Sequence, residues 1–321
     1  MPKILTMGEV LIDFTQSNID GMTNVFQQNA GGAPANVAVQ SSILGSSSGF
    51  IGKVGNDQFG LYLKQSLESH GVSTTGLVFD DKAETTLAFV QLNSKGDRSF
   101  SFYRNMTADT QLCYTEVNLS LIDECELFHF GSISLTTEPA KSATISAVEY
   151  ARQKGKTISY DPNWRPQLWE SPSKAKASMK SVLSYVDIIK VSEDELKMLT
   201  DCDQFIQGIA KLLGYGIKIV VVTQGAKGCI IAGKGGIERL PTYDVKTIDT
   251  TGSGDSFFGA FLYKLAESEK NFSDIAFEEL KDFADFANAC GALCSTKSGA
   301  IPAMPNKKEI EACMANVAKL K

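Results

Sequence analysis

The chain has 321 residues, of which 43% are hydrophobic, and a formal net charge of -6. This length suits one large α/β domain with an accessory piece, or two domains, and the apolar content is enough for a substantial core. The acidic balance argues against nucleic acid or an anionic membrane as the main partner, so any anion site must be local.

The first residues and the cysteines both indicate a soluble, cytoplasmic protein. The start, "MPKILTMGEV", has one lysine and no long apolar run, and no stretch approaches the length of a membrane span. Among seven cysteines there is no CxxC pair, and only Cys290 and Cys294 have the i, i+4 spacing of a helix face. We therefore expect buried free thiols in a reducing compartment and no cysteine metal site.

Short apolar runs alternate with helical patterns along the chain. The apolar runs predict strands within 3–14, 49–55, 126–135, 156–163, 186–192 and 217–225. The helical patterns cover 34–44, 57–70, 138–154, 171–184, 203–214, 255–268, 274–296 and 306–319. Strands separated by helices predict an α/β fold with a mostly parallel sheet covered on both faces, and ligands then bind at the carboxyl ends of the strands.

Two segments interrupt this alternation. Residues 85–105 read as a strand, a polar turn containing Gly96 and a second strand, with no helix between them. Residues 15–29 form a polar, irregular insertion between the first strand and the next helix. Together they predict a small β-rich lid at the ligand end of a single domain spanning 1–321. The alternative is an edge hairpin that does not cover the ligand.

The segment 249–262, "DTTGSGDSFFGAFL", places glycines and a carboxylate at the start of a helix. The helix is indicated by an apolar stripe of Phe257, Phe258, Phe261, Leu262 and Leu265. Free backbone N–H groups in a first helical turn attract anions, and Gly252 and Gly254 allow close approach. Asp255 in this turn is either part of an anion site or only a helix cap.

Two further clusters lie toward the start of the chain. In "GGAPANVAV" (31–39), Gly31 and Gly32 form a close-approach turn and Asn36 projects from the first helical turn that follows. Asp13 ends the first predicted strand, where a carboxylate can accept bonds from paired hydroxyls or cap a loop.

Two more clusters follow later strands. In "DPNWRP" (161–166), Asp161 and Arg165 come after a buried strand, and Arg165 is suited to a phosphate or carboxylate. In "KVSEDEL" (190–196), Ser192 and Glu195 are suited to contact a hydrated Mg²⁺ ion through its bound waters. Spacing alone favours the simpler reading of a solvated acidic helix start.

Residues 31–60 and 249–262 resemble the two signatures of the PfkB, or ribokinase-like, family of sugar kinases, in the family's order and at its usual separation. The resemblance extends over essentially the whole chain. It implies a doubly wound α/β domain with a β lid, and phosphorylation of a sugar hydroxyl with ATP and Mg²⁺. It also implies, as in many members, a loop for a monovalent cation such as K⁺.

The resemblance also implies roles for individual residues. Asp255 matches the family's catalytic base, and its anion hole corresponds to Gly252, Ser253 and Gly254. The family positions that hold the sugar hydroxyls correspond to Asp13, Gly31, Gly32 and Asn36. The positions near the nucleotide correspond to Thr223, Gly225, Gly228 and Asn288, and those of the monovalent-cation loop correspond to Asp249, Thr251 and 295–300. The family's Asn-x-x-Glu motif reads Ser192-x-x-Glu195 here, so the carboxylate for metal is kept while a nucleotide or metal contact of Ser192 cannot be assumed.

Within the family, 100–112, 161–166 and 190–195 look most like the fructokinase group, although Met106 and Thr107 replace its usual Pro and small residue. D-Fructose is then the expected substrate, phosphorylated on its primary 6-hydroxyl. A 2-keto-3-deoxygluconate kinase is the alternative, in which Arg104 and Arg165 pair with the substrate carboxylate.

Readings of a different class also apply. A catalytically silent sugar-binding regulatory protein would keep the same fold. A dinucleotide-dependent oxidoreductase is disfavoured, because "IDFTQSN" follows the first strand where a GxGxxG turn is needed. His70 and His129 stand in no catalytic motif and are expected to be structural. A homodimer is a candidate assembly that the sequence alone does not fix.

Overall fold

Two separate sheets organise the chain in the computed structural model, which describes residues 2–19, 22–92, 98–270 and 274–320. The strands are β1 (Ile4–Met7), β2 (Leu11–Ile19), β3 (Met22–Gly31), β4 (Ser48–Gly55), β5 (Val72–Asp80), β6 (Leu87–Leu92), β7 (Arg98–Tyr103), β8 (Leu127–Gly131), β9 (Thr157–Asp161), β10 (Ile188–Ser192), β11 (Ile219–Thr223), β12 (Cys229–Gly233) and β13 (Gly236–Leu240). The helices are α1 (Ala33–Ile43), α2 (Gln58–Ser69), α3 (Leu119–Glu124), α4 (Ala140–Gln153), α5 (Pro172–Ser181), α6 (Glu193–Thr200), α7 (Phe205–Leu213), α8 (Ser253–Glu267), α9 (Phe277–Cys294) and α10 (Lys307–Asn316).

The large sheet has nine strands in the order β13-β12-β11-β10-β9-β8-β1-β4-β5. Pairing is parallel from β11 across to β5, and the hairpin strands β12 and β13 add to the edge in antiparallel fashion. The expected mostly parallel sheet flanked by helices is therefore confirmed. None of the helices in the described part of the chain is long and apolar enough to cross a membrane.

Both faces of this sheet are buried, which explains the continuous apolar runs of its strands. Successive side chains of a strand point to opposite faces. Val221 accordingly packs into the cluster that contains α8 and α9, while Val220 and Val222 pack into the cluster that contains α4 and α7. The seven cysteines are free thiols, of which six are buried and Cys113 is half-buried, in accord with the sequence.

The small sheet has four strands in the order β3-β2-β6-β7, with β2 and β6 parallel at its centre. It corrects two expectations. The apolar run 3–14 is not one strand, because the chain leaves the large sheet after Met7 and starts β2 at Leu11. Within the predicted insertion 15–29, the described residues 15–19 and 22–29 are not irregular, since they belong to the paired strands β2 and β3. The predicted turn around Gly96 lies outside the described residues.

The eight predicted helices are present with ends shifted by a few residues. Sequence periodicity missed the short helices α3 and α6, which have six and eight residues, and the strands β5, β12 and β13. The helix α6 starts with a capping box in which Ser192 and Glu195 each satisfy the backbone N–H of the other. The reading of 190–196 as an acidic helix start was therefore correct as local structure.

Candidate active site

A cavity of 540 Å³ opens at the carboxyl ends of the parallel strands, where ligands bind in sheets of this kind. Its wall comes from both sheets. The large sheet contributes Lys190 and Ser192 of β10, and the small sheet contributes Asp13 of β2 and Phe102 of β7. The first turn of α8 and the start of α1 complete the wall.

Asp255 lies in the first turn of α8, faces the cavity and is 7% exposed. Its Oδ2 accepts a hydrogen bond of 2.8 Å from Asn36 Nδ2, and its Oδ1 accepts one of 2.9 Å from Asn163 Nδ2. Asp255 is therefore not the cap of α8, whose N-cap residue is Gly252. Sequence reasoning had not selected Asn163, although its place directly after β9 was the available signal.

Two glycines at the start of α8 make close contacts with neighbouring residues. Gly252 has φ 73°, and a Cβ built there would lie 2.6 Å from Ala300 Cβ. A Cβ on Gly254 would lie 2.9 Å from Lys190 Nζ. The N–H of Ser253 donates to the carbonyl of Thr250 at 3.2 Å, and Ser253 is not part of the cavity lining. Because the first N–H groups of a helix have no acceptor within it, Gly254 and Asp255 present donors at the cavity wall. Ser253, the first residue of α8, lies between these two glycines.

Of the predicted sugar residues, Asp13, Gly32 and Asn36 line the same cavity, and Gly31 packs against Asp13. A Cβ on Gly31 would lie 2.1 Å from Asp13 Oδ2, so only glycine leaves room for this carboxylate. Gly32, at φ 109°, turns the chain into α1, which carries Asn36. Burial raises the pKa of Asp13 to about 7, Arg165 opposes the rise, and the negative charge of Asp255 adds to it.

Glu9 is a second cavity residue that sequence reasoning missed. It is 1% exposed, and its Oε1 accepts a hydrogen bond of 2.9 Å from the backbone N–H of Ala33 at the start of α1. Burial raises its pKa to about 7. The run "GEVLIDF" had been assigned to one strand, which hid the bend after β1 that turns Glu9 toward the cavity.

A buried ion pair joins the neighbouring strands β9 and β10 beside the cavity, and its lysine, Lys190, is part of the cavity lining. Lys190 Nζ lies 2.7 Å from Asp161 Oδ2, and both side chains are almost fully buried. Burial lowers the pKa of Lys190, but the carboxylates of Asp161, Glu195 and Asp255 raise it by more. The lysine is therefore charged. Asp161 was singled out from the sequence and Lys190 was not.

The carboxylates predicted to bind metal ions accept hydrogen bonds from backbone N–H groups. Glu195 Oε1 accepts from the N–H of Trp164 at 2.7 Å, and its Oε2 accepts from the N–H of Ser192 at 2.8 Å. Asp249 accepts from the N–H groups of Thr251 and Gly299 at 2.7 and 3.0 Å. Among the described residues no group of three or more His, Cys, Asp or Glu is arranged to hold a metal ion.

The four predicted nucleotide residues lie along one edge of the large sheet and do not line the cavity. Thr223 ends β11 opposite Ser192, which does line it. Gly225 and Gly228 form the turn into β12, both with positive φ. Asn288 of α9 donates to the carbonyls of Leu240 and Pro241 at 3.5 and 3.4 Å, which fixes α9 against this edge.

The two arginines are placed differently. Arg165 lines the cavity, and its Nη1 donates to the carbonyl of Trp164 at 3.2 Å. Arg104 lies outside it, with its Nε 2.6 Å from Asp109 Oδ2 and further bonds to Thr136 and the carbonyl of Ile133.

The histidines lie elsewhere in the fold. His129 is buried in β8 with its Nδ1 3.0 Å from Ser159 Oγ, and burial lowers its pKa to about 3. The Nδ1 of His70 lies 2.7 Å from the carbonyl of Ser66, one turn earlier at the end of α2.

A doubly wound α/β domain with a small second sheet, and an acidic residue at a glycine-lined helix start, define a sugar kinase of the ribokinase-like class. Residues 1–307 match the pfkB family carbohydrate kinase, and the chain belongs to this family.

Several of the similar proteins are fructokinases. The chain is 44% identical over 307 residues to fructokinase-2 of Oryza sativa subsp. japonica, covering 94% of this chain and 90% of that one. The crystal structure of fructokinase with bound ATP from Xylella fastidiosa superposes with a TM-score of 0.89 at 32% identity, over 98% of this chain and 99% of that one. A double mutant of the Vibrio cholerae O395 fructokinase, in fructose, ADP and potassium ion bound form, gives 0.88 at 34%, over 98% of both chains.

Proposed function

We propose that this protein transfers the γ-phosphate of ATP to the primary 6-hydroxyl of D-fructose. The observation that carries the proposal is Asp255, held by two amides beside the open first turn of α8. A carboxylate there can accept the proton of an attacking hydroxyl while the N–H groups of the same turn stabilise the phosphoryl group. Phosphoryl transfer needs little else from a protein beyond in-line positioning and neutralised charge.

The hydrogen bonds from the two amides leave the Asp255 carboxylate able to accept a proton. Asn36 and Asn163 each donate one hydrogen bond to a different oxygen, and each oxygen keeps a lone pair for the sugar hydroxyl. Their donors also fix the direction of the carboxylate. General-base catalysis of this kind contributes roughly 10²–10⁴ in rate.

We assign the sugar hydroxyls to Asp13, Asn36 and the backbone at Gly31 and Gly32. The small sheet, with its segments 15–29 and 85–105, is the proposed lid of a single domain. Asp13 and Phe102 on two of its strands already form part of the cavity wall. Closure of this sheet over the sugar would exclude water, which competes with fructose as a phosphoryl acceptor.

We place ATP between the cavity and the edge that carries Thr223, Gly225, Gly228 and Asn288. Mg²⁺ bound with ATP would supply charge neutralisation of the phosphates. Mg²⁺ keeps several waters and needs few protein ligands, which suits Glu195, whose oxygens already accept backbone N–H groups. Ser192 then serves the helix start, in place of the family's Asn.

We also propose that the loops at 249–251 and 295–300 hold K⁺, because Asp249 joins them through the N–H groups of Thr251 and Gly299.

The protein is further proposed to be a cytoplasmic homodimer, and light scattering on the purified chain would test the dimer. The reducing cytoplasm suits its free cysteines.

Fructose is preferred over 2-keto-3-deoxygluconate because of Arg104. In the sugar-acid reading this residue pairs with the substrate carboxylate, but its guanidinium is occupied by Asp109 and lies outside the cavity. Of the two arginines, Arg165 is then the one that lines the cavity, and the phosphates of ATP are sufficient to account for it.

The experiment is a measurement of ADP release from ATP and Mg²⁺ over a panel of ketoses, sugar acids and nucleosides. We expect the highest kcat/KM with D-fructose and fructose 6-phosphate as product. A higher kcat/KM with the keto-deoxy acid, abolished by Arg104→Ala, would make the chain a sugar-acid kinase. Sugar binding without ADP release for any compound would make it a silent binding protein.

A further inference from the structure

The cavity has an excess of negative charge that its ligand must overcome. Five carboxylates line it, those of Glu9, Asp13, Asp194, Glu195 and Asp255. Within the described residues, only two cationic side chains line the same cavity, Lys190 and Arg165. Since ATP is itself strongly anionic, the position of these two cations decides where a phosphoryl group can sit.

Lys190 is the better placed of the two. Its residue is 6% exposed, and its Nζ would be 2.9 Å from a Cβ on Gly254, so the ammonium lies directly against the first turn of α8. Arg165 is half-buried and extends from a loop. The fixed positive charge therefore lies beside Gly254, which with Asp255 forms the part of the first turn of α8 that lines the cavity.

The three-residue segment 161–163 ties this cation to the base. Asp161 accepts from Lys190 at 2.7 Å, and Asn163 donates to Asp255 at 2.9 Å. The two residues are joined in turn, because the backbone N–H of Asn163 donates to Asp161 Oδ1 at 3.2 Å. One short segment that starts at the last residue of β9 thus sets the distance between the ammonium and the carboxylate.

Stability does not account for the ion pair. Replacing a buried ion pair with apolar residues of similar volume is often neutral or stabilising, so such a pair is weak evidence of a structural role. An ammonium has three donors, and only one is used by Asp161. The other two are available at the wall of the cavity.

We propose that the Lys190 ammonium contacts the oxygens of the γ-phosphoryl group during transfer, and that Asp161 is the residue that positions it. This inference rests on the proposed function. In the step, the fructose oxygen forms a bond to the γ-phosphorus and the bond to the bridging oxygen breaks, its electron pair leaving with ADP. The hydroxyl proton goes to Asp255. Lys190 exchanges no proton and supplies charge alone.

The test compares binding of ADP with binding of a non-hydrolysable ATP analogue by calorimetry, at one concentration of free Mg²⁺. Lys190→Met alone leaves Asp161 unpaired and risks misfolding, so the main variant is the double variant Asp161→Asn/Lys190→Met, which removes both charges. Lys197→Met is the control, since Lys197 on α6 is 67% exposed and lies outside the cavity lining.

We expect the double variant to bind the analogue at least ~10-fold more weakly, to bind ADP within a factor of about two, and to lose ~10²-fold or more in kcat. The control should match the wild type in all three. An equal loss for ADP and the analogue, or an unchanged kcat, would overturn the role of Lys190. Because the binding comparison needs no sugar, it stands even if the wild type fails to phosphorylate fructose, which would refute only the proposed function.

Discussion

Replacement of Asp255 by Asn tests the role of the base with the smallest change of shape. The carboxylate accepts from Asn36 and Asn163 at 2.8 and 2.9 Å, whereas an amide at 255 has only one accepting oxygen. Its NH₂ group would then face a second donor. Leaving one buried donor without a partner costs about 1–3 kcal/mol of folding free energy.

The effect on turnover should be larger than the effect on stability. We expect Asp255→Asn to keep the fold and ATP binding and to lower kcat by at least ~10²-fold, because the proton acceptor is lost. The assays are ADP release at saturating fructose, calorimetric ATP binding, and Tm. Asp282→Asn, on an exposed position of α9, is the matched control. Near-normal turnover of the Asp255 variant would remove this residue from the role of base.

Three further predictions follow from contacts around the cavity. Gly31→Ala should raise KM for fructose ~10-fold or more, with ATP binding retained, because its Cβ would lie 2.1 Å from Asp13 Oδ2. Asp13→Asn should flatten the pH dependence of unfolding free energy. Burial raises the pKa of Asp13 from 3.8 to about 7, so the wild type loses stability as pH rises through this range. Arg104→Ala should cost about 3–5 kcal/mol in urea unfolding by leaving Asp109 buried without its partner, and Asp109→Asn should recover part of this.

Each of these predictions has a result that contradicts it. An unchanged KM for the Gly31 variant would mean that Asp13 does not contact the sugar. Parallel stability profiles of the wild type and the Asp13 variant between about pH 4 and pH 7 would mean that this carboxyl titrates normally. Unaltered urea unfolding of the Arg104 variant would show that the ion pair contributes nothing, and a normal KM for fructose would keep Arg104 out of the sugar site.

The sequence predicted six of the nine strands of the large sheet, because these strands are buried on both faces and are joined by helices of clear periodicity. It failed at the bend between Met7 and Leu11. Both sides of that bend are apolar, so the pattern shows one strand, whereas pairing partners far along the chain divide it between two sheets. Short elements such as α3 carried too few periods to be detected.

For the site, the sequence identified residues next to glycine-rich turns and strand ends, because such positions face ligands in parallel sheets. It missed Asn163, Lys190 and Glu9. A lysine inside an apolar strand has no local pattern that distinguishes a cavity residue from a solvated one. Only the adjacency of β9 and β10, which places Asp161 beside Lys190, reveals its role.

The carboxylate at 255 and its two amide partners come from parts of the chain separated by 219 and 92 positions. The ribosome therefore synthesises Asn36, Asn163, Lys190 and the proposed sugar-binding residues well before it synthesises α8. Contacts so far apart in sequence also form late when a chain folds, because the loop between them must close first. We expect that a nascent chain stopped before α8 cannot consume ATP, so the cell is protected from futile hydrolysis by unfinished copies of the enzyme.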